Sequence, residues 1–302
     1  MIFLNETPIK INRFPDKTLS VFNFPSESIN IKSINKIDWR YEDDSELFTL
    51  LCYVKHLREI DKNINLNLFV PYLPHSRMDR TKNKQKEIFT LKYFCDFINS
   101  LKFDKVFVLD PHSDVSVALL NNVVILPIDF YINSAIHDIM KKNKLSSRNN
   151  IVVYFPDEGA YKRYKDIVCL SENEKLYGKK VRDWETGNII SLDIYNEREE
   201  KLNISYDFEI ETDIVLPLEN KVVLMVDDII SYGGTLAHSA DKLKELGAAD
   251  IYAYATHTEN SVLDEEKGAL LSRLKSGVVN KIFTTNSIFN KENNFVTVFN
   301  CV

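Results

Sequence analysis

Residues 221–246 read KVVLMVDDIISYGGTLAHSADKLKEL, and the rest of the chain is organised around them. The apolar run 222–226 reads as a buried parallel strand. Asp227 and Asp228 stand at its carboxyl end, followed by a tight loop, Ser231-Tyr232-Gly233-Gly234-Thr235. Leu236, Ala240, Leu243 and Leu246 then share one face of a helical pattern. Strand, paired acids, glycine loop and helix in this order make an anion cradle, because backbone N–H groups and the helix N-terminus face the ligand. Gly233 and Gly234 carry no Cβ, so the backbone can approach closely. The two acids lie where open α/β sheets bind ligands, placed to hold ribose hydroxyls or a Mg²⁺. A plain strand–helix unit with a capping loop accounts for the glycine pair but not for the acids and threonine around it.

The 302 residues are enough for two α/β domains, each with its own core. An apolar share of 44% and a charged share of 27% are those of an ordinary globular protein. The net charge of −6 argues against a general nucleic-acid surface. No apolar run reaches membrane-spanning length and the first residues do not read as a signal peptide, so the expected location is the cytoplasm, or the host cytoplasm if the chain is viral. Cys52, Cys95, Cys169 and Cys301 lack metal-ligand spacing and read as reduced thiols. The eight glycines all lie at or beyond Gly159, which points to use where backbone geometry requires them.

Residues 1–40 read as short strands with polar turns, 44–60 as a helix, and 67–72 as a buried strand. That strand leads into Pro71-Tyr72-Leu73-Pro74-His75-Ser76-Arg77-Met78-Asp79-Arg80, continued by Lys82, Lys84 and Lys86. A basic loop at a strand's carboxyl end can close over a polyphosphate, although most charge runs are solvated surface. A helix over 88–100 and a strand over 105–109 follow, the strand ending in Asp110-Pro111-His112. A strand at 123–127 and a helix at 131–144 lead to a second half that repeats the first: strand 151–155, then Asp157-Glu158-Gly159, then a helix through Tyr164. Lys179-Lys180-Val181-Arg182 follows a strand-like segment, and 193–220 alternates acidic and apolar residues in the manner of an added strand or hairpin. After the cradle come a strand at 250–256, a helix near 262–274, a strand at 281–285 and a last strand within 294–302.

The cradle resembles the phosphoribosyl-pyrophosphate signature of type I phosphoribosyltransferases and ribose-phosphate pyrophosphokinases. The 71–80 string resembles the flexible ATP loop of the pyrophosphokinases, with Met78 and His75 in place of the usual Gln and Tyr; plain phosphoribosyltransferases do not carry it. Asp110-Pro111-His112 resembles their Asp-x-His motif, Pro156 to Arg163 their Pro-Asp-x-Gly-Gly…Arg segment, Lys180 and Arg182 their Lys-x-Arg, and Thr284 to Ile288 their late Thr-x-Thr-Ile turn. The resemblance implies an α/β fold of two tandem type I phosphoribosyltransferase-like domains, each a mostly parallel sheet flanked by helices. They are expected at 1–133, with the strand of 290–302 returning to that domain, and at 134–289.

It also implies transfer of the β,γ-diphosphate of ATP to the C1 hydroxyl of a 5-phosphorylated ribose. Lys180, Arg182 and Arg77 would be catalytic, with a one-residue slip to Lys179 left open. Phe24, Ser26, Ser28, Arg77, Met78, Asp79 and Arg80 would hold ATP. Arg182, Asp227, Asp228, Ser231, Tyr232, Gly233, Gly234 and Thr235 would hold the ribose phosphate, and His112 and Asp157 the Mg²⁺. A homo-oligomer, dimer or hexamer, is expected. Three departures matter. The family's cradle begins Asp-Thr where this one has Ser231-Tyr232, its adenine loop Phe-x-Asp-Gly-Glu is here Phe24-Pro25-Ser26-Glu27-Ser28, and its His-Gly is here His257-Thr258. Loss of a negative charge at Ser231, an aromatic face at Tyr232 and the long 193–220 segment suggest a larger acceptor, ADP-ribose, as the alternative to ribose 5-phosphate. An inactive, regulatory binding protein of the same fold is the alternative from another class.

Overall fold

The computed structural model describes residues 1–22, 33–81, 87–182, 189–206 and 214–301, the side chains of 180–182, 189, 190, 205, 206, 214 and 215 excepted. The chain divides into two units, Met1–Pro127 and Ile128–Val302. The division falls just ahead of a helix that the expected boundary at 133/134 would have cut.

In the first unit the strands are β1 (Ile2–Leu4), β2 (Thr7–Pro8), β3 (Lys10–Arg13), β4 (Leu19–Phe22), β5 (Asn35–Trp39), β6 (Leu66–Phe69), β7 (Lys105–Leu109) and β8 (Val123–Leu126). The helices are α1 (Glu46–Ile60), α2 (Thr90–Ser100) and α3 (Asp114–Leu119). Six strands form one sheet in the order β2-β1-β5-β6-β7-β8, while β3 and β4 pair with each other. From β5 to β8 neighbouring strands run parallel, so both faces must be covered. Leu50, Val54 and Leu57 of α1 and Leu91, Cys95 and Ile98 of α2 are buried, at the spacing a core-facing helix requires.

The second unit contains α4 (Asp129–Asn143), β9 (Ile151–Phe155), α5 (Glu158–Tyr164), β10 (Lys175–Arg182), β11 (Ile189–Asn196), β12 (Ser205–Tyr206), β13 (Ile214–Val215), β14 (Val222–Ile230), α6 (Gly234–Glu245), β15 (Asp250–Thr258), α7 (Ala269–Lys275), β16 (Lys281–Thr285) and β17 (Val296–Phe299). Its seven-stranded sheet runs β11-β10-β9-β14-β15-β16-β17, all neighbours parallel except β10 with β11. Every residue of β9 is buried, as expected of a central strand. Leu236, Ala240, Leu243 and Leu246 all face the core, as their spacing predicts.

Three expectations are corrected. The last strand does not return to the first domain's sheet: β17 pairs in parallel with β16, Ile282 opposite Val296 and Thr285 opposite Phe299. The stacked rings of Phe283 and Phe299, with centroids 6.2 Å apart, hold it there. The strand at 222 does not stop at the acids, because β15 continues beside it and β14 runs on to Ile230. The helix near 262–274 is broken into a 3₁₀ turn, Asn260–Leu263, and α7, and between them Gly268 packs so close to the carbonyls of Asp264 and Val262 that a Cβ would overlap them. The added segment after Arg182 contains β11 and the short β12–β13 ladder, in line with the strand or hairpin expected near 193–220. Among the described residues no helix is long and apolar enough to cross a membrane.

Candidate active site

The parallel register of the second sheet opens a crevice at β14. Pairing with β9 ends at Met225 opposite Tyr154, whereas pairing with β15 continues to Ile230 opposite Thr258. Asp227 and Asp228 therefore lie where one neighbouring strand has turned away, at the carboxyl edge where such sheets bind ligands. Asp228 is buried, and its N–H donates to Asp227 Oδ1 at 3.0 Å. Burial, and next the charge of Asp228, push the Asp227 carboxyl well above the usual carboxylate range, with Asp157 adding to the rise. Asp157 sits at the end of β9 as the N-cap of α5, its Oδ1 accepting from Ala160 N at 3.0 Å. From the last turn of α5, Arg163 Nη1 comes within 3.3 Å of Asp228 Oδ2.

The cradle follows. Gly233 caps α6 at φ +75°, and a Cβ there would overlap Leu270, so backbone conformation and packing both require glycine. Gly234 differs: a Cβ on it would meet nothing within 4 Å. No packing among the described residues explains why that position is bare, and it leaves the N-terminus of α6 open to close approach by an anion. Leu270 N donates to Tyr232 O at 3.2 Å, so the loop is held by its backbone while the Tyr232 ring is 41% exposed. Ser231 Oγ donates to Glu259 Oε2 at 2.7 Å, and Ser261 Oγ donates to the same oxygen at 3.0 Å. The buried His257 Nδ1 lies 2.8 Å from Ser287 Oγ, which ties the end of β15 to the turn after β16.

Lys179 is engaged elsewhere. Its Nζ is 3.4 Å from Glu158 Oε1 and lies over the Tyr195 and Tyr177 rings, in an aromatic stack continued by Tyr161 at 4.7 Å from Tyr177. Lys180 and Arg182 belong to β10 by backbone pairing with Leu192 and Ile189, but their side chains lie outside the described residues. Phe24, Ser26 and Ser28, and Lys82, Lys84 and Lys86 of the basic loop, also lie outside them.

In the first unit, Val70 N donates to Phe107 O at 2.9 Å and Leu109 N to Pro71 O at 3.0 Å. These bonds bring the loop after β6 beside Asp110 and His112 after β7, the shared edge expected from sequence. Both turns pass through left-handed, non-glycine residues, His75 at φ 62° and Asp110 at φ 44°. Such conformations cost energy and cluster at functional sites. His75 Nε2 lies 2.9 Å from Asp44 Oδ1, which also accepts from Tyr41 OH at 3.0 Å. Arg77 and Arg80 are exposed, Met78 and Asp79 half-buried, and Arg80 Nε is 3.8 Å from Asp79 Oδ1. Among the described residues no three His, Cys, Asp or Glu side chains converge as a metal cage. A Mg²⁺ held by one or two protein ligands together with substrate phosphates needs none. The carboxylate clustering that raises Asp227 is the chemistry a divalent cation relieves.

A ribose-phosphate pyrophosphokinase of Haemophilus ducreyi is 28% identical over 247 residues, 81% of this chain and 67% of that protein. Another, from Buchnera aphidicola, is 26% identical over 295 residues, 97% of this chain and 82% of that protein. Along most of its length the chain is similar to ribose-phosphate pyrophosphokinases. A solved structure of phosphoribosylpyrophosphate synthetase from Mycobacterium smegmatis matches with a TM-score of 0.69 at 17% identity, over 97% of this chain and 86% of that one. It shares the fold, two type I phosphoribosyltransferase-like domains. No family profile matches the chain.

One inference from sequence changes. The acid that Ser231 lacks is not lost from the loop, because Glu259 supplies a carboxylate to the Ser231 hydroxyl from the next strand's end. Glu259, Ser261 and the Arg163–Asp228 contact were not singled out from sequence. The available signal for Glu259 was its place two residues beyond His257, at the carboxyl edge shared with the cradle.

Proposed function

We propose that this chain is a Mg·ATP-dependent diphosphotransferase that converts ribose 5-phosphate to phosphoribosyl pyrophosphate, releasing AMP. The observation that carries the proposal is the crevice of β14, where Asp227 and Asp228 stand beside the bare Gly234 at the N-terminus of α6. The activity named for the relatives supports it. In this reading the C1 oxygen bonds to the β-phosphorus of ATP as the α–β bridging bond breaks, AMP leaves, and the hydroxyl proton passes to solvent.

Such a transfer depends on positioning and charge neutralisation rather than covalent catalysis. Backbone N–H groups of 231–235 hold the 5-phosphate, with the Thr235 hydroxyl as a further donor. Asp227 and Asp228 accept from the ribose hydroxyls, a role compatible with a raised Asp227 carboxyl because a protonated acid both donates and accepts. Arg77, Met78, Asp79 and Arg80 line the ATP loop, with Phe24, Ser26 and Ser28 assigned to the adenine. Lys180, Arg182 and Arg77 stabilise charge on the transferring phosphates. His112 and Asp157 are the proposed Mg²⁺ ligands, and an ion held by them would supply charge neutralisation to the phosphates. A cytoplasmic homo-oligomer is part of the same proposal.

A second reading rests on Tyr232. Its exposed ring at the cradle offers a stacking face, so ADP-ribose, whose 5-phosphate continues into ADP, is the alternative acceptor. The test is AMP release from Mg·ATP with each acceptor supplied alone, and phosphorus NMR of the products. AMP with ribose 5-phosphate is the expected result, and AMP with ADP-ribose alone selects the second reading. No AMP with either, in a chain that still binds ribose 5-phosphate, would make it a binding protein.

A further inference from the structure

Ser231 and Glu259 are far apart in sequence, and their contact tethers the first cradle residue's side chain to the end of the neighbouring strand β15. Glu259 Oε2 accepts from Ser231 Oγ at 2.7 Å and from Ser261 Oγ at 3.0 Å, and the two hydroxyls are 3.3 Å apart. Glu259 is fixed by its own backbone, since its N–H donates to Ile230 O at 2.8 Å, at the last residue of β14. Both ends of the tether are therefore anchored to the strand that carries Asp227 and Asp228. All three side chains are half-buried, in surroundings where a charge-assisted hydrogen bond is stronger than on an open surface.

Immediately after this tether the chain turns left-handed at Gly233 and presents the N–H groups of 234 and 235. A loop that binds an anion through backbone N–H groups depends on those groups being fixed before the ligand arrives. We propose that Glu259 is a positioning residue for the phosphate cradle: its carboxylate fixes Ser231, and through it the loop that takes the sugar phosphate. This rests on the proposed function of the same loop. It extends that reading by assigning a part of the specificity machinery to the segment after β15.

A carboxylate is what the position needs, whichever side of the contact supplies it. With E259A alone, Ser231 and Ser261 lose their shared acceptor. With S231D in the same chain, a carboxylate returns within reach of the Ser261 hydroxyl. With S231D alone, two carboxylates face each other and repel. The experiment is titration calorimetry of ribose 5-phosphate into wild-type chain, E259A, S231D and the S231D/E259A double variant, with thermal unfolding of each without ligand.

The expected result is about a tenfold weaker Kd for E259A and for S231D, equivalent to about 1.4 kcal/mol, with most of the loss recovered in the double variant. In turnover, the loss in E259A falls on KM for the sugar phosphate and not on KM for ATP. An unchanged Kd in E259A overturns the proposal while leaving the functional reading intact. So does a loss that S231D fails to recover in a folded double variant. A wild-type chain that does not bind ribose 5-phosphate overturns the reading of the cradle, and the tether with it.

Discussion

Arg163 Nη1 stands 3.3 Å from Asp228 Oδ2, an arginine of the helix after β9 set against the buried acid of β14. The pair crosses the crevice in which the sugar is proposed to bind, and it offsets part of the negative charge gathered there. Removing one partner of a mostly buried pair takes away part of the other's charge compensation, which can cost more than the pair itself contributes. Arg163→Met is expected to destabilise the second unit by about 2 kcal/mol, read by urea unfolding. Asp228→Asn in the same chain should recover a good part of that loss, and failure to recover it would mean that Arg163 acts through its packing.

Asp227 gives the opposite sign. Its carboxyl is raised in the folded chain, so the folded state retains a proton that the unfolded state releases once pH exceeds about 4. Stability from this group is lost as pH rises through that window and above it, until the folded group also ionises. Asp227→Asn is therefore expected to be more stable than wild type at about pH 7.5, with the difference closing towards about pH 4. Paired unfolding curves at the two pH values check this. The same variant should lose sugar-phosphate turnover, the usual cost of relieving a strained site.

The two cradle glycines separate fold from function. Gly233→Ala forces a Cβ into Leu270 at a left-handed position and should cost about 2–4 kcal/mol of stability. Gly234→Ala meets no neighbour and should alter stability by less than about 1 kcal/mol. Calorimetry should nevertheless show ribose 5-phosphate binding greatly weakened in Gly234→Ala, because the added methyl occupies the space kept for the phosphate. Equal effects of the two variants on stability would show that the bare position is a packing requirement after all.

How much of this was legible in sequence depended on the range of the interaction. The strand–loop–helix at 221–246 is set by neighbours in the chain: a five-residue apolar run, two glycines, and leucines one helical turn apart. Its order of elements was legible, as were α1, β7 and β9. The extension of β14 to Ile230 was not, because it depends on β15 continuing alongside as far as Thr258. The placement of β17 was missed for a like reason, since Val296 and Val298 give no sign of which sheet they join. The Ser231–Glu259 contact joins two loops that only the parallel register brings together. Arg163 could be quoted as part of a motif, but its partner could not be named without the sheet order.

The cysteines provide a check on the cores of the two units separately. Burial pushes the Cys95 thiol up to about 12 and the Cys169 thiol up to about 11. Since the thiolate is the reacting form, both should resist iodoacetamide at about pH 8 in the folded chain and react on unfolding. Mass spectrometry of peptides containing each residue reads this directly. Rapid labelling of Cys95 alone would place a local opening in α2, and of Cys169 alone one in the second unit.

The nature of the acceptor turns on one ring. Tyr232 is 41% exposed, while its carbonyl is held by Leu270 N at 3.2 Å, so the loop's shape does not depend on the side chain. Tyr232→Thr should fold as wild type does. If the acceptor is ribose 5-phosphate, nothing extends beyond the phosphate to meet the ring, and KM for the sugar should stay within about twofold. If it is ADP-ribose, the adenine can stack on Tyr232, and loss of the ring should raise KM by about tenfold or more, since stacking of a base on an aromatic side chain contributes about 1–3 kcal/mol. The proposed function predicts the first outcome. Because the backbone geometry is common to both cases, a rise in KM confined to ADP-ribose could not be ascribed to a distorted cradle, and it would identify Tyr232 as the residue that sets acceptor size.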